Sequence, residues 1–75
     1  MHDFNAFLKS IPHKFNDAQE KLIKRAFELA EHAHKGQKRK SGEEYFSHTK
    51  AAALILGQIF PNPPTLAATL LHDVP

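Results

Sequence analysis

The stretch from Asn16 to Gly36 constrains the fold more than any other part of the chain, because its helical signals are the most complete. Asn16 or Asp17 offers a side-chain oxygen to cap a first turn. Gln19 or Glu20 stands three residues on, where a reciprocal capping partner belongs. From Ala18 the apolar residues Leu22, Ala26, Leu29, Ala30 and Ala33 fall on one stripe, with Lys24, Glu28 and Glu31 off it. Gly36 follows where a left-handed residue commonly ends a helix, and Lys35 stands at the negative end of the helix dipole. The expected helix spans residues 17–35.

The flanking segments carry weaker versions of the same pattern. Phe4, Phe7, Leu8 and Ile11 have i, i+3, i+4, i+7 spacing, and Pro12 should close that helix near Ser10, giving residues 3–10. "GQKRKSGEEYF" has two glycines, three cations and no periodicity, so it reads as a loop. Ser47 can then cap a helix over residues 48–58, which is rich in Ala51, Ala52, Ala53, Leu54, Ile55 and Leu56. "PNPPT" interrupts, and Asn62 followed by Pro63 starts a fourth helix over residues 63–73. That helix is apolar nearly all round, with Leu66, Ala67, Ala68, Leu70 and Leu71, which is the pattern of a buried helix. Nothing reads as a strand, so the predicted fold class is all-α with about four helices in a single domain, residues 1–75.

A chain of 75 residues is short for such a core: at this size only about 60% of the unfolded surface is buried. The apolar runs are broken well before the roughly 20 residues that a membrane span needs. The N-terminus carries Asp3 and no apolar stretch with a cleavage site, which argues against a signal peptide. No cysteine is present, so thiolate chemistry and disulfides are excluded. A cytoplasmic protein with no membrane partner is the expectation.

The net charge of +2 is unevenly placed. Lys35, Lys38, Arg39 and Lys40 crowd into "HAHKGQKRK", whereas Asp17, Glu20, Glu28 and Glu31 precede it. Such a segment is either a solvated helix end or a site that meets phosphate.

The histidines divide by position. His2 and His13 flank terminal or loop positions and read as surface residues. His32 and His34 fall in the last turn of the second helix, where an imidazole suits the dipole, but an i, i+2 pair points to different faces and does not chelate. His72 and Asp73 close the greasiest helix, in "TLAATLLHDVP". An isolated buried carboxylate is costly, and the helix dipole disfavours it there. Two readings stay open for the pair: helix-end residues that reach water, or metal ligands, since neutral imidazole and carboxylate both bind divalent ions. His48, directly after the basic loop, could face the same cavity.

Taken together, "AFELAEHAHKGQKRKSGEEYFSHTKAAALIL" and "TLAATLLHDV" resemble the start of the HD-domain hydrolase of the RelA/SpoT family, which handles the alarmones guanosine tetra- and pentaphosphate. The pattern there runs roughly A-H-x-G-Q-x-R-x-S-G-E-P-Y-x-x-H-P, then an apolar helix, then L-L-H-D-V-x-E-D-T. The match covers residues 18 to 75, and His72 follows His48 at the family's spacing. By this resemblance the fold is the front half of an HD-domain helical bundle. His48, His72 and Asp73 match three ligands of a metal ion, usually manganese. Arg39, Lys40 and Ser41 match the loop that binds the guanine nucleotide. An arginine there can stack on a base while the cations meet phosphates. The implied reaction is hydrolysis of the 3′-pyrophosphate, and the partner of the basic loop is a small, highly charged nucleotide rather than a nucleic acid.

Thr49 and Glu44 stand where the family usually has proline, at what read as helix-start or loop positions. The resemblance also implies catalytic carboxylates just after Pro75 and a fourth metal ligand on a later helix. The expectation is therefore a leading piece of a larger domain, with no catalytic residue of its own, weak metal affinity and negligible hydrolysis. Part of Leu66, Leu70, Leu71 or Val74 should be exposed, leaving the chain either marginally stable or self-associating through that surface. The alternative is a non-catalytic nucleotide- or metal-binding remnant, or an interaction module.

Overall fold

The computed structural model describes residues 4–72 and Val74, which form four helices. These are α1 (Phe4–Lys9), α2 (Asp17–Ala33), α3 (Tyr45–Ile59) and α4 (Pro63–Leu71). Among the described residues there is no strand, and the one β-type pairing is an isolated bridge between Lys38 and Glu44.

The capping box expected at α2 is formed. Asn16 Oδ1 accepts from the Gln19 amide at 2.8 Å, and Gln19 Oε1 accepts from the Asn16 amide at 2.9 Å. Two orphan donors of the first turn are thereby satisfied. The buried stripe is turned from the expected one: it runs through Ile23, Ala26, Phe27 and Ala30, while Leu22 and Leu29 are exposed. Ile23 and Phe27 lie at the centre of the i, i+3, i+4, i+7 set, so the two leucines are left on its shoulders. The helix ends at Ala33, two residues short of the expected 35.

Phe27 is the hub of an aromatic cluster that fastens three helices together. Its ring lies 5.4 Å from Phe4, 5.1 Å from Phe7 and 5.0 Å from Phe46, the last edge-on at 86°. Tilted and edge-on contacts of this kind suit the ring quadrupole. The turn after α1 docks on the far end of α3. Buried Ile11 lies against Gly57, where an added Cβ would stand 2.9 Å from Ile11 Cγ1, and Gln58 Nε2 donates to the Ser10 carbonyl at 2.7 Å.

Helix α3 begins three residues before the expected start, and Ser47 is its third residue rather than its cap. The cap is Glu44, which makes no side-chain capping bond. The chain is delivered into the helix by backbone pairing instead, since the Tyr45 amide donates to the Gln37 carbonyl at 3.0 Å. Thr49 is consequently well inside the helix and wholly buried, with Oγ1 donating to the Tyr45 carbonyl at 3.4 Å. It is a core position, not the loop or helix-start position expected from the sequence.

Asn62 caps α4 as expected, its Oδ1 accepting from both the amide and the hydroxyl of Thr65 at 3.0 and 2.9 Å. The helix packs chiefly on α2 and next on α3. Leu66 and Leu70 are fully buried, Leu71 and Val74 are partly buried, and Ala68 is exposed. Of the four residues expected to be exposed in part, Leu71 and Val74 are, whereas Leu66 and Leu70 are not. The exposed large apolar residues are instead Leu22, Leu29, Ile55, Ile59 and Phe60, because α4 turns its leucines onto α2. No helix among the described residues is long and apolar enough to cross a membrane.

Candidate nucleotide loop and metal centre

The segment read as a plain loop is a tight hairpin. The Arg39 amide donates to the Glu43 carbonyl at 2.8 Å, and the Gly42 amide to the Arg39 carbonyl at 2.9 Å. Gly42 has φ +91°, so a turn closes at Gly42 in the left-handed region, where a side chain would be strained. The tip therefore presents Lys38, Arg39, Lys40 and Ser41 from a short, hydrogen-bonded scaffold. All four are exposed. Together with Glu43 and Tyr45 they line one cleft, so the expected nucleotide-binding residues Arg39, Lys40 and Ser41 are brought together.

Tyr45 is the junction of this region. Its ring stacks on His34 at 4.6 Å and meets His48 edge-on at 6.2 Å, one turn along α3. His48 is exposed and does not line the cleft of Arg39; the two are joined through Tyr45. His72 caps the C-terminal end of α4 and is exposed, not inside as its apolar surroundings in the sequence suggested. Its Nδ1 lies 2.6 Å from the Thr69 carbonyl. A carbonyl can only accept, so Nδ1 carries a proton, and Nε2 is the nitrogen that a neutral imidazole would offer to a metal. Asp73, the third expected ligand, lies outside the described residues. Among those described, no group of three or more His, Asp or Glu side chains surrounds a common cation position. The chemistry of the donor set, two imidazoles and a carboxylate, suits a first-row divalent ion.

His34 was read as a helix-end imidazole, but it is a core residue, 3% exposed. Its Nδ1 is 3.0 Å from Gln37 Oε1, and Gln37 Nε2 donates to the Ala33 carbonyl at 3.3 Å. Its Nε2 is buried without a hydrogen-bond partner among the described residues. Sequence reasoning missed His34, Gln37 and Tyr45 as parts of the site. Their sequence signal is that the fixed H, Q and Y of the family pattern fall on them, on either side of the basic tip.

The described residues form a four-helix, all-α fold with His48 on α3, and in the sequence a His-Asp dipeptide follows α4. The HD domain family matches residues 26–75, and the chain belongs to it. Three relatives place it more narrowly. It is 51% identical over 51 residues to the GTP pyrophosphokinase of Streptomyces coelicolor, covering 68% of this chain and 6% of that protein. It is 44% identical over 68 residues to the probable guanosine-3′,5′-bis(diphosphate) 3′-pyrophosphohydrolase of Mycoplasma genitalium, covering 91% of this chain and 9% of that one. Over 74 residues it is 39% identical to the bifunctional (p)ppGpp synthase/hydrolase SpoT of Escherichia coli, covering 99% and 10% respectively. The resemblance to the RelA/SpoT family thus extends over nearly the whole chain, and the chain spans about a tenth or less of these relatives.

Proposed function

We propose that these residues form the metal- and nucleotide-binding front of an HD phosphohydrolase that removes the 3′-pyrophosphate of guanosine tetra- or pentaphosphate. The observation that carries this reading is the arrangement about Tyr45. On one side lies the cleft of Arg39, Lys40 and Ser41, and on the other His48, one turn further along α3. The relatives named for guanosine-3′,5′-bis(diphosphate) hydrolysis support the substrate class.

In this reading Arg39 lays its guanidinium on the guanine face, Lys40 meets phosphate, and the Ser41 hydroxyl donates to a phosphate oxygen. His48, His72 and Asp73 hold the divalent ion, proposed to be manganese. When bound, that ion polarises a phosphoryl oxygen or lowers the pKa of a coordinated water. His72 is held for the task by its Nδ1–H bond to the Thr69 carbonyl. The catalytic carboxylates are proposed to lie downstream in sequence, so the short chain alone should turn over little substrate. The protein acts in the cytoplasm, without a nucleic acid or membrane partner.

A second reading has support of its own, because the S. coelicolor relative is named for a pyrophosphokinase activity. In that reading the HD segment binds nucleotide or metal without hydrolysing. One experiment separates them: the full-length protein with manganese and guanosine tetraphosphate. Stoichiometric release of pyrophosphate and guanosine diphosphate, lost in His48→Ala, supports the hydrolase. Binding without release supports the second reading.

A further inference from the structure

We propose that His34, Gln37 and Tyr45 form a clip that positions the basic hairpin for its nucleotide, with His34 as a positioning residue; this rests on the hydrolase reading above. Gln37 is the centre of the clip. Its side-chain Oε1 accepts from His34 Nδ1–H at 3.0 Å, and its Nε2 donates to the Ala33 carbonyl at 3.3 Å. Its own amide donates to the His34 carbonyl at 2.9 Å, and its carbonyl accepts from the Tyr45 amide at 3.0 Å. One residue at the base of the hairpin is thereby tied both to the end of α2 and to the start of α3. The His34 ring, stacked on Tyr45, closes the clip from inside.

The His34 side chain is poorly explained as packing. It is 3% exposed and leaves Nε2 without a partner among the described residues, a penalty that phenylalanine or leucine would avoid in the same space. What imidazole supplies and phenylalanine cannot is the Nδ1–H donor to Gln37. That bond holds Gln37 in place, and Gln37 holds the two legs of the hairpin whose tip carries Arg39, Lys40 and Ser41. The tip residues are exposed and two of them are long, so an unheld hairpin would have to be ordered again with every nucleotide bound. Holding it in advance strengthens binding of ground state and transition state alike, so its loss belongs in KM.

The test uses the full-length protein with manganese and guanosine tetraphosphate, with two readouts: steady-state hydrolysis, and hydrogen–deuterium exchange of peptides covering residues 37–45 and 20–30. His34→Phe keeps the stacked ring and removes the donor. It should speed exchange over 37–45, leave 20–30 unchanged, and raise KM about tenfold with kcat within about twofold. His34→Asn, whose amide can place a donor near Nδ1, should recover part of both effects. Unchanged exchange over 37–45 in His34→Phe, or a loss confined to kcat, overturns the proposal. Should His34→Phe loosen residues 20–30 as well, exposed Gln37→Leu decides: it must reproduce the faster exchange over 37–45 and the higher KM. If the unaltered protein releases no pyrophosphate, the hydrolase reading fails, while the exchange readout still decides whether the clip holds the hairpin.

Discussion

His72 and Arg39 are both exposed, yet their surroundings assign them different energetic roles. The His72 Nδ1 is held by the Thr69 carbonyl at 2.6 Å, which would orient the ring if it serves as the proposed ligand. In the full-length protein, His48→Ala or His72→Ala should weaken manganese binding by at least about 100-fold, since even groups that only orient a ligand are worth 10- to 100-fold. Isothermal calorimetry reads this directly, and unchanged affinity would remove both from the metal site. Arg39 sits on a hairpin tip, where it can bind substrate without touching the reacting bond. Arg39→Ala should therefore raise KM for guanosine tetraphosphate more than it lowers kcat, and an intact KM with a collapsed kcat would give the hairpin another role.

The residue scale also shows the limit of the sequence. His48, His72 and Asp73 stand out in the sequence by type and by a spacing that matches the family pattern. His34 falls on a fixed histidine of the family pattern, but its burial was not legible, because it depends on Tyr45 folding back over it across the turn, a contact eleven positions away that no local periodicity encodes. Asp73 lies outside the described residues, so the carboxylate of the expected metal triad is carried by the family pattern alone.

Among the elements, those with explicit caps were read correctly. Asn16 with Gln19, and Asn62 with Pro63, mark helix starts through local hydrogen bonds, which is why α2 and α4 begin where expected. Helix α3 was misread because Ser47 is a good local cap, whereas the real start at Tyr45 is set by pairing across the hairpin to Gln37. The inner face of α2 was misread by one position, because leucines at 22 and 29 flank a stripe centred on Ile23 and Phe27. Two stability measurements belong here. Asn16→Ala removes the side-chain acceptor of the Gln19 amide, while the backbone donor to Gln19 Oε1 remains, and should cost about 0.5–2 kcal/mol in chemical denaturation. Gly57→Ala drives a methyl to within 2.9 Å of buried Ile11 and should cost about 1–3 kcal/mol. Combined with Ile11→Ala, the Gly57→Ala penalty should shrink, because the two positions share one contact. Strict additivity would mean that Ile11 does not lean on Gly57.

For the whole molecule, the core is small but continuous: Phe27, Ile23, Leu66, Leu70 and Thr49 are its largest fully buried side chains. Its outer surface still carries Ile55, Ile59 and Phe60, with Ile59 at 79% exposure, grouped toward the end of α3. Apolar groups of this kind favour association. The chain of 75 residues is expected to self-associate as its concentration rises, and Ile59→Lys should weaken the association in sedimentation velocity. A monomer at every concentration would contradict this.

The central claim is that these helices bear the metal and nucleotide sites of an alarmone hydrolase, and pyrophosphate release tests it most directly. The full-length protein is mixed with guanosine tetraphosphate, with manganese or with a chelator, and pyrophosphate and guanosine diphosphate are counted. The account predicts equal yields of the two products with manganese, none with chelator, and none from His48→Ala that still binds the nucleotide. Undiminished release from His48→Ala, or no release from a folded, manganese-loaded protein, would contradict it.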